Sequence, residues 1–147
     1  MKFSKAILRK PCNNLINGIT TKDLGVPDIE KALSQYTNYK NLLIELGLEI
    51  VELPPEDDYP DSTFIEDTAI FIGSIPVLAN PGVEARRDEI VSVLSFFENS
   101  FRKIEKIESP GTLDGGDVLE VDDKYFIGIS KRTNKEGACQ FLDILSR

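Results

Sequence analysis

The stretch Pro60-Asp61-Ser62-Thr63-Phe64-Ile65-Glu66-Asp67-Thr68-Ala69-Ile70-Phe71 sets three carboxylates, Asp61, Glu66 and Asp67, directly ahead of an apolar run. Carboxylates at the mouth of a buried strand are costly unless a cation, a hydrogen-bond donor or water meets them. This stretch therefore asks for a partner. Taken alone it is equally an acidic turn leading into a strand, and the sequence on either side has to decide between the two readings.

Downstream, residues 69–72 and 77–79 read as two strands joined through Gly73, Ser74 and Pro76, a hairpin in its simplest form. Pro81 and Gly82 break the chain, and Ile90, Val93, Leu94 and Phe97 fall at helical spacing over 86–97. A strand over 103–107 closes this unit. The pattern then restarts: 116–121 and 124–127 predict a second hairpin about Asp122 and Asp123, followed by a helix over 134–145. Aligning Glu66 with Asp114 gives a period of 114 − 66 = 48 residues, which sets Ile70 on Val118, Phe71 on Leu119 and Val77 on Tyr125. Units repeated in this way stack or circle about an axis, because each needs neighbours to bury its open faces. The second unit has a helix but no counterpart of the 103–107 strand. An open edge and an exposed apolar face are expected if the polypeptide stands alone, and this reads as a truncation.

Upstream, Ala6-Ile7-Leu8 forms the apolar centre of a strand over 5–9 that Pro11 stops. Residues 12–23 read as a polar loop with Asn13, Asn14, Asn17 and Gly18, in which Ile19 is the conspicuous apolar residue. A helix is expected to begin about Pro27 and Asp28, with Asp28 as its cap. Ile29, Leu33, Tyr36, Leu43 and Leu46 lie along one face, and Gly47 ends it. Residues 48–53 alternate apolar and acidic and predict a strand before Pro54 and Pro55.

At 147 residues, with 41% hydrophobic and 29% charged residues, the chain has the length and composition of one globular domain or part of a larger one. A net charge of −8 without a basic stripe argues against nucleic acid as a partner, since phosphate binding needs clustered Lys and Arg. No apolar segment approaches the roughly 20 residues of a membrane span, and the N-terminus lacks a secretory pattern despite Lys2, Lys5 and Arg9. A cytoplasmic location without membrane contact is the expectation. Cys12 and Cys139 have no metal or disulfide spacing, and nothing in the sequence calls for a metal or a cofactor. Histidine is absent, so neither thiol has the usual base to activate it.

Each repeat sets an acid before its first strand and an arginine after its second: Glu66 and Asp67 precede Arg86, and Asp114 precedes Arg132. Carboxylates match a guanidinium bidentately, and arginine matches a carboxylate in the same way. Groups converging on an axis would together suit an arginine-like amino acid. Salt bridges at hairpin ends are the alternative. In Leu113-Asp114-Gly115-Gly116-Asp117 the glycines permit close backbone approach or positive φ, although an Asp-Gly turn is common. Ser130-Lys131-Arg132-Thr133-Asn134 is also consistent with a plain helix entry capped by Thr133 or Asn134.

Four runs in order resemble dimethylarginine dimethylaminohydrolases: 60–67, Pro81-Gly82 through Arg86-Arg87, 113–117, and Gly128-Ile129 through Asn134. These enzymes belong to the guanidino-group-modifying superfamily of arginine deiminases and amidinotransferases. The resemblance implies an α/β fold, a β/α propeller (pentein) of five ββαβ units, of which residues 1–147 would supply roughly the first three. It implies that Asp61, Glu66 and Asp67 line the substrate pocket, with Asp67 gripping a guanidinium. Arg86 and Arg132 would hold the amino acid's carboxylate, Ile19 would sit in a closing loop, and Asp114 would orient a catalytic histidine and contact the guanidinium. In that family a cysteine attacks the guanidinium carbon, methylamine or dimethylamine leaves, and histidine-activated water releases citrulline. Neither Cys12 nor Cys139 matches that nucleophile, and the base is missing. The expected protein is thus the N-terminal, substrate-holding part of such a hydrolase, inactive alone. A homo-oligomer or a C-terminal part would cover its open edge. The alternatives are a non-catalytic module that binds arginine derivatives or pairs with a partner chain, and a relative of arginine deiminase.

Overall fold

The computed structural model describes residues 3–22, 25–122 and 124–147. Lys2, Asp23 and Asp123, which entered the sequence reading, lie outside them. The chain forms two compact units, Met1–Ile65 and Glu66–Arg147.

In the first unit, β1 (Lys5–Arg9) pairs in parallel with β2 (Glu49–Leu53), from Lys5 opposite Glu49 to Arg9 opposite Leu53. Parallel neighbours need a crossover, and α1 (Ile29–Glu45) supplies it. Asp28 caps α1 as expected, its side chain accepting from the Lys31 N–H at 3.0 Å. At the other end Gly47 takes φ +87°. The Gly47 N–H then reaches the Ile44 carbonyl, and the Leu48 N–H reaches that of Leu43, two of the orphaned last-turn acceptors. The loop after β1 contains a 3-10 turn, Asn13–Asn17. Arg9, at the end of β1, is buried with its Nη1 donating to the Pro54 carbonyl and facing Glu56 at 3.2 Å.

The second unit holds a three-stranded sheet in the order β3 (Ala69–Ile72), β4 (Ile75–Leu78), β5 (Glu105–Lys106), and a separate hairpin of β6 (Val118–Val121) and β7 (Lys124–Ile127). Strand β4 begins earlier than the sequence reading, which left Pro76 in the connection. Pro76 opposes Phe71, between the pairs Ile72–Ile75 and Ile70–Val77. In an antiparallel ladder whose two-residue turn closes on Ile72 and Ile75, that is a position without hydrogen bonds, so β3 asks nothing of its missing N–H. Its other side is also undemanding, because β5 pairs with β4 only at Val77 and Leu78. β5 is shorter than the predicted 103–107. Exposed Lys103 stays outside the ladder, whereas the Ile107 N–H still donates to Leu78.

Helix α2 (Ile90–Ser100) follows a 3-10 turn, Glu84–Glu89, where a helix over 86–97 was expected. Helix α3 (Lys135–Leu145) matches its prediction, with Asn134 as its cap. Val77, Ile107, Leu113 and Phe141 form the core, joined by Ile70, Ile72, Val118, Tyr125, Ile127 and Ile144. Phe71, one residue out of phase, meets Phe97 and Phe101 instead. The 48-residue shift thus preserves facing: Ile70 and Val118 enter one core, as do Val77 and Tyr125. The turns do not keep that shift, since the closing residues Ile72 and Val121 are 121 − 72 = 49 apart. The second hairpin turns one residue later, and its other face, with Leu119, Val121 and Phe126, is exposed.

Asn134 does more than cap. Its Oδ1 accepts from the Gly137 and Thr112 N–H groups, at 2.8 and 3.0 Å, and its Nδ2 donates to the Pro110 carbonyl at 2.9 Å. Asn134→Ala should therefore cost about 2 kcal/mol in urea unfolding, against about 1 kcal/mol for the plain cap change Asp28→Ala. Equal costs would mean that the bonds to Pro110 and Thr112 contribute nothing.

Candidate functional site

Of the residues singled out from sequence, Asp61 and Ile19 lie in the first unit. Asp61 is buried, and its Oδ2 accepts from the Ile19 N–H at 2.9 Å. A carboxylate from the 60–67 stretch thus fixes the backbone of the 18–19 loop, while the Ile19 side chain stays exposed. Cys12 is buried nearby in sequence, its Sγ 3.9 Å from the carbonyl oxygens of Tyr59 and Pro60. Burial pushes its thiol pKa up, against the reactivity a nucleophile needs.

The remaining candidates all belong to the second unit. Two close backbone approaches bring them together. A methyl group on Gly115 would sit 1.9 Å from the Glu66 carbonyl oxygen, and one on Gly116 would sit 2.8 Å from Asp67 Oδ1 and 3.0 Å from Asp114 Oδ1. Of the two uses open to these glycines, close approach is the one realised. The acids of successive repeats consequently face each other across a bare backbone. Gly82 plays the same part for the other motif, since a methyl there would lie 2.5 Å from the Arg132 carbonyl oxygen.

Both arginines are paired. Arg86 is buried; its Nε and Nη2 clasp the Glu89 carboxylate at 3.0 and 2.8 Å, and its Nη1 meets Asp67 Oδ2 at 2.5 Å. Desolvation works against its charge, but the bonds from Glu89 and Asp67 outweigh it and the guanidinium stays protonated. Arg132 is 44% exposed in its side chain, with Nη2 2.9 Å from Asp117 Oδ1 and Nε 3.7 Å from Asp114 Oδ2. The hairpin-end salt bridges therefore exist, and they link the same groups as the ligand reading.

The carboxylates are not equivalent. Burial, then the like charge of Asp67, raises the Asp114 pKa to about 6, although Arg132 and the Gly116 N–H on its Oδ1 pull the other way. Glu66 is raised by the same two causes in the same order. Asp117 goes down: burial opposes its charge, but Ser130, Thr133 and Arg132 all donate to it and prevail.

Two participants were not assigned from sequence. Glu89 lies three residues after Arg86, and in a 3-10 turn positions i and i+3 eclipse, which stacks the two side chains. The spacing was a usable signal. Thr133 was one of two residues read as a helix cap, beside Asn134; it is fully buried, accepting from the Asp114 N–H and donating to Asp117. Among the described residues no group of three or more His, Cys, Asp and Glu could hold a metal ion, and no helix is long and apolar enough to cross a membrane.

A family model described as arginine deiminase matches residues 28–147. The N(G),N(G)-dimethylarginine dimethylaminohydrolase of Pseudomonas aeruginosa is 38% identical over 146 residues, covering 99% of this chain and 58% of that protein. Its namesake from Streptomyces coelicolor is 36% identical over 141 residues, covering 95% and 55%. The chain thus spans a little over half the length of these relatives. Among solved structures, a cysteine-to-serine variant of the Pseudomonas aeruginosa protein complexed with citrulline superposes with a TM-score of 0.96, over 99% of this chain and 58% of that one. The N-terminal domain of ArgZ, an arginine dihydrolase from cyanobacteria, gives 0.87 at 14% identity over 99% and 55%, a likeness of fold alone.

The charges predict a titration. An unfolded Asp titrates near 3.9, so a folded pKa of about 6 means that Asp114 favours the native state below about pH 4 and that this contribution is lost as pH rises through 6. Carbon-detected NMR should find a carboxyl midpoint near 6 for Asp114. Asp67→Asn should lower it and Arg132→Ala raise it; a midpoint in the ordinary Asp range would refute the crowding of these acids.

Proposed function

The chain belongs to the arginine deiminase family, and on that premise we propose that it is the substrate-holding part of a dimethylargininase-type hydrolase, which converts N-methylated arginine to citrulline and methylamine or dimethylamine. Its fold is the mixed α/β pentein fold, and the reading takes the two ββα units of residues 66–147 as successive members of a five-unit propeller.

One observation carries the proposal: Asp67 and Asp114 are drawn together on a bare glycine backbone, with Arg132 beside Asp114 and half exposed. A pair of crowded carboxylates suits a guanidinium, and an available arginine suits a carboxylate. An arginine derivative carries both groups. In this reading Asp67 grips the guanidinium with Glu66 close by, and Asp114 contacts it while orienting a histidine. Arg132 takes the ligand's carboxylate. Arg86 joins it when Asp67 exchanges its present bond to Arg86 for the ligand. In the first unit, Asp61 holds the loop that carries Ile19.

The chain has no histidine, and its two cysteines are Cys12 and Cys139. Cys139 is an exposed thiol on α3, and burial suppresses Cys12. Covalent hydrolysis needs a nucleophile with its base, and removing either member of such a unit forfeits most of its acceleration. In this proposal the 147 residues bind, and the cysteine and histidine of catalysis come from polypeptide beyond them. Propeller closure, by such polypeptide or by a second copy, would also cover the exposed face of β6 and β7.

Calorimetric titration of Nω-methyl-L-arginine into the chain should detect binding, which Asp67→Asn and Asp114→Asn each weaken at least about tenfold. No citrulline should form. Absence of binding at millimolar ligand would refute the holding role, and sustained citrulline production would refute the assignment of catalysis elsewhere.

A further inference from the structure

We propose that Asp117 is a positioning residue for Arg132, holding one edge of its guanidinium so that the remaining edge is presented to the carboxylate of an amino-acid ligand. The proposal rests on the reading that Arg132 receives that carboxylate. It concerns a residue that neither touches the ligand nor takes part in the chemistry.

Asp117 accepts three side-chain hydrogen bonds. Its Oδ1 accepts from Arg132 Nη2 at 2.9 Å, and its Oδ2 accepts from Ser130 Oγ at 2.7 Å and Thr133 Oγ1 at 2.8 Å. Both hydroxyls are themselves fixed. Ser130 Oγ accepts from the Arg132 and Thr133 N–H groups at 2.9 and 3.2 Å, which folds the 130–133 loop around it. Thr133 Oγ1 accepts from the Asp114 N–H at 3.0 Å. The carboxylate therefore sits in a rigid frame that also carries Asp114. Arg132 Nη1 has no partner among the described residues, and the side chain is 44% exposed, so one edge of the guanidinium is held and another is open.

Holding matters because arginine carries about 2 kcal/mol of rotamer entropy. A side chain fixed before binding does not lose that freedom on binding. The preceding repeat uses the same device, with Glu89 clasping Arg86. The alternative is that Asp117 only closes the 130–133 loop. Because Arg132 lies on that loop, ligand selectivity is expected of both readings, and the order of the Arg132 guanidinium itself separates a tether from closure of the backbone.

The test uses the full chain with Nω-methyl-L-arginine and its decarboxylated counterpart, Nω-methylagmatine. Asp117→Asn should weaken methylarginine about tenfold, as loss of a charge-assisted bond does, and leave methylagmatine within about twofold. Ser130→Ala, at an exposed residue, removes one donor to Asp117 together with the acceptor of the Arg132 and Thr133 N–H groups, and should give the same selectivity at about threefold. Independently of any ligand, the Arg132 Nη signals, assigned through their loss in Arg132→Lys, should be resolved by restricted rotation in the unaltered chain and averaged in Asp117→Asn. Equal weakening of both ligands, or resolved Arg132 signals in Asp117→Asn, would overturn the proposal. If the unaltered chain binds neither ligand, the proposed function fails and the Arg132 signals alone decide the tether. If Asp117→Asn does not fold, Ser130→Ala decides it by the same readouts.

Discussion

The carbonyl oxygen of Glu66 occupies the space in which a side chain at position 115 would begin. The arrangement of the second unit depends on that contact. It lets the backbone of one repeat lie against that of the preceding one where both bear acids, and so sets Asp67 and Asp114 opposite each other beside Gly116. No side chain larger than hydrogen is compatible with it. The contact between Gly82 and Arg132 ties the following loops in the same manner. Behind both, Val77, Leu113 and Phe141 bury the apolar faces that hold the two hairpins in place. The facing acids are thus positioned by backbone and core, which are stiff.

Like charges brought together by packing have to be offset, and the unit does this in two ways. Arg86 serves Glu89 and Asp67, and Arg132 serves Asp117 and, at longer range, Asp114. The titrations follow from where each acid sits: Asp114 and Glu66 are raised, first by burial and then by the like charge of Asp67, while Asp117, bonded by Ser130, Thr133 and Arg132, is lowered. Ion pairing alone would have lowered all three. The raised pair marks carboxylates that are both partly buried and crowded by Asp67, two costs that a cationic group would offset.

Much of this was legible in the sequence, because apolar periodicity and turn residues report directly on backbone. The strand at Lys5–Arg9, the Asp28 cap, both hairpins and the helix after Asn134 followed from those signals. The pairing of acids with arginines across each repeat was also readable from spacing. What escaped was polar and tertiary. The segment Glu84–Glu89 has helical composition but winds as a 3-10 turn, where Arg86 and Glu89 lie one above the other. Thr133 has the residue type of a cap, yet its hydroxyl serves Asp117, while Asn134 performs the capping. β5 is shorter than its apolar pattern because its partner β4 offers it only Val77 and Leu78. At Thr133 and β5 a neighbour distant in sequence decided between options that local propensity left level.

The division of labour between the two arginines is the last consequence of this geometry. Spacing from the acids makes Arg86 and Arg132 equivalent members of a repeat, but their surroundings differ. Arg86 is buried between two carboxylates, whereas Arg132 is half exposed and its Nη1 is unengaged among the described residues. In the proposed function a ligand carboxylate would meet Arg132 without breaking an existing pair. At Arg86 it would have to displace Asp67, an exchange that would become favourable only if Asp67 gained a guanidinium in return. A zwitterionic amino acid with a guanidinium side chain provides both charges in one molecule, so a second carboxylate contact would follow the first. A simple carboxylic acid lacks the cation and would engage Arg132 alone. Selectivity for an arginine-like ligand would then arise from a pre-existing ion pair that only such a ligand can exchange without loss.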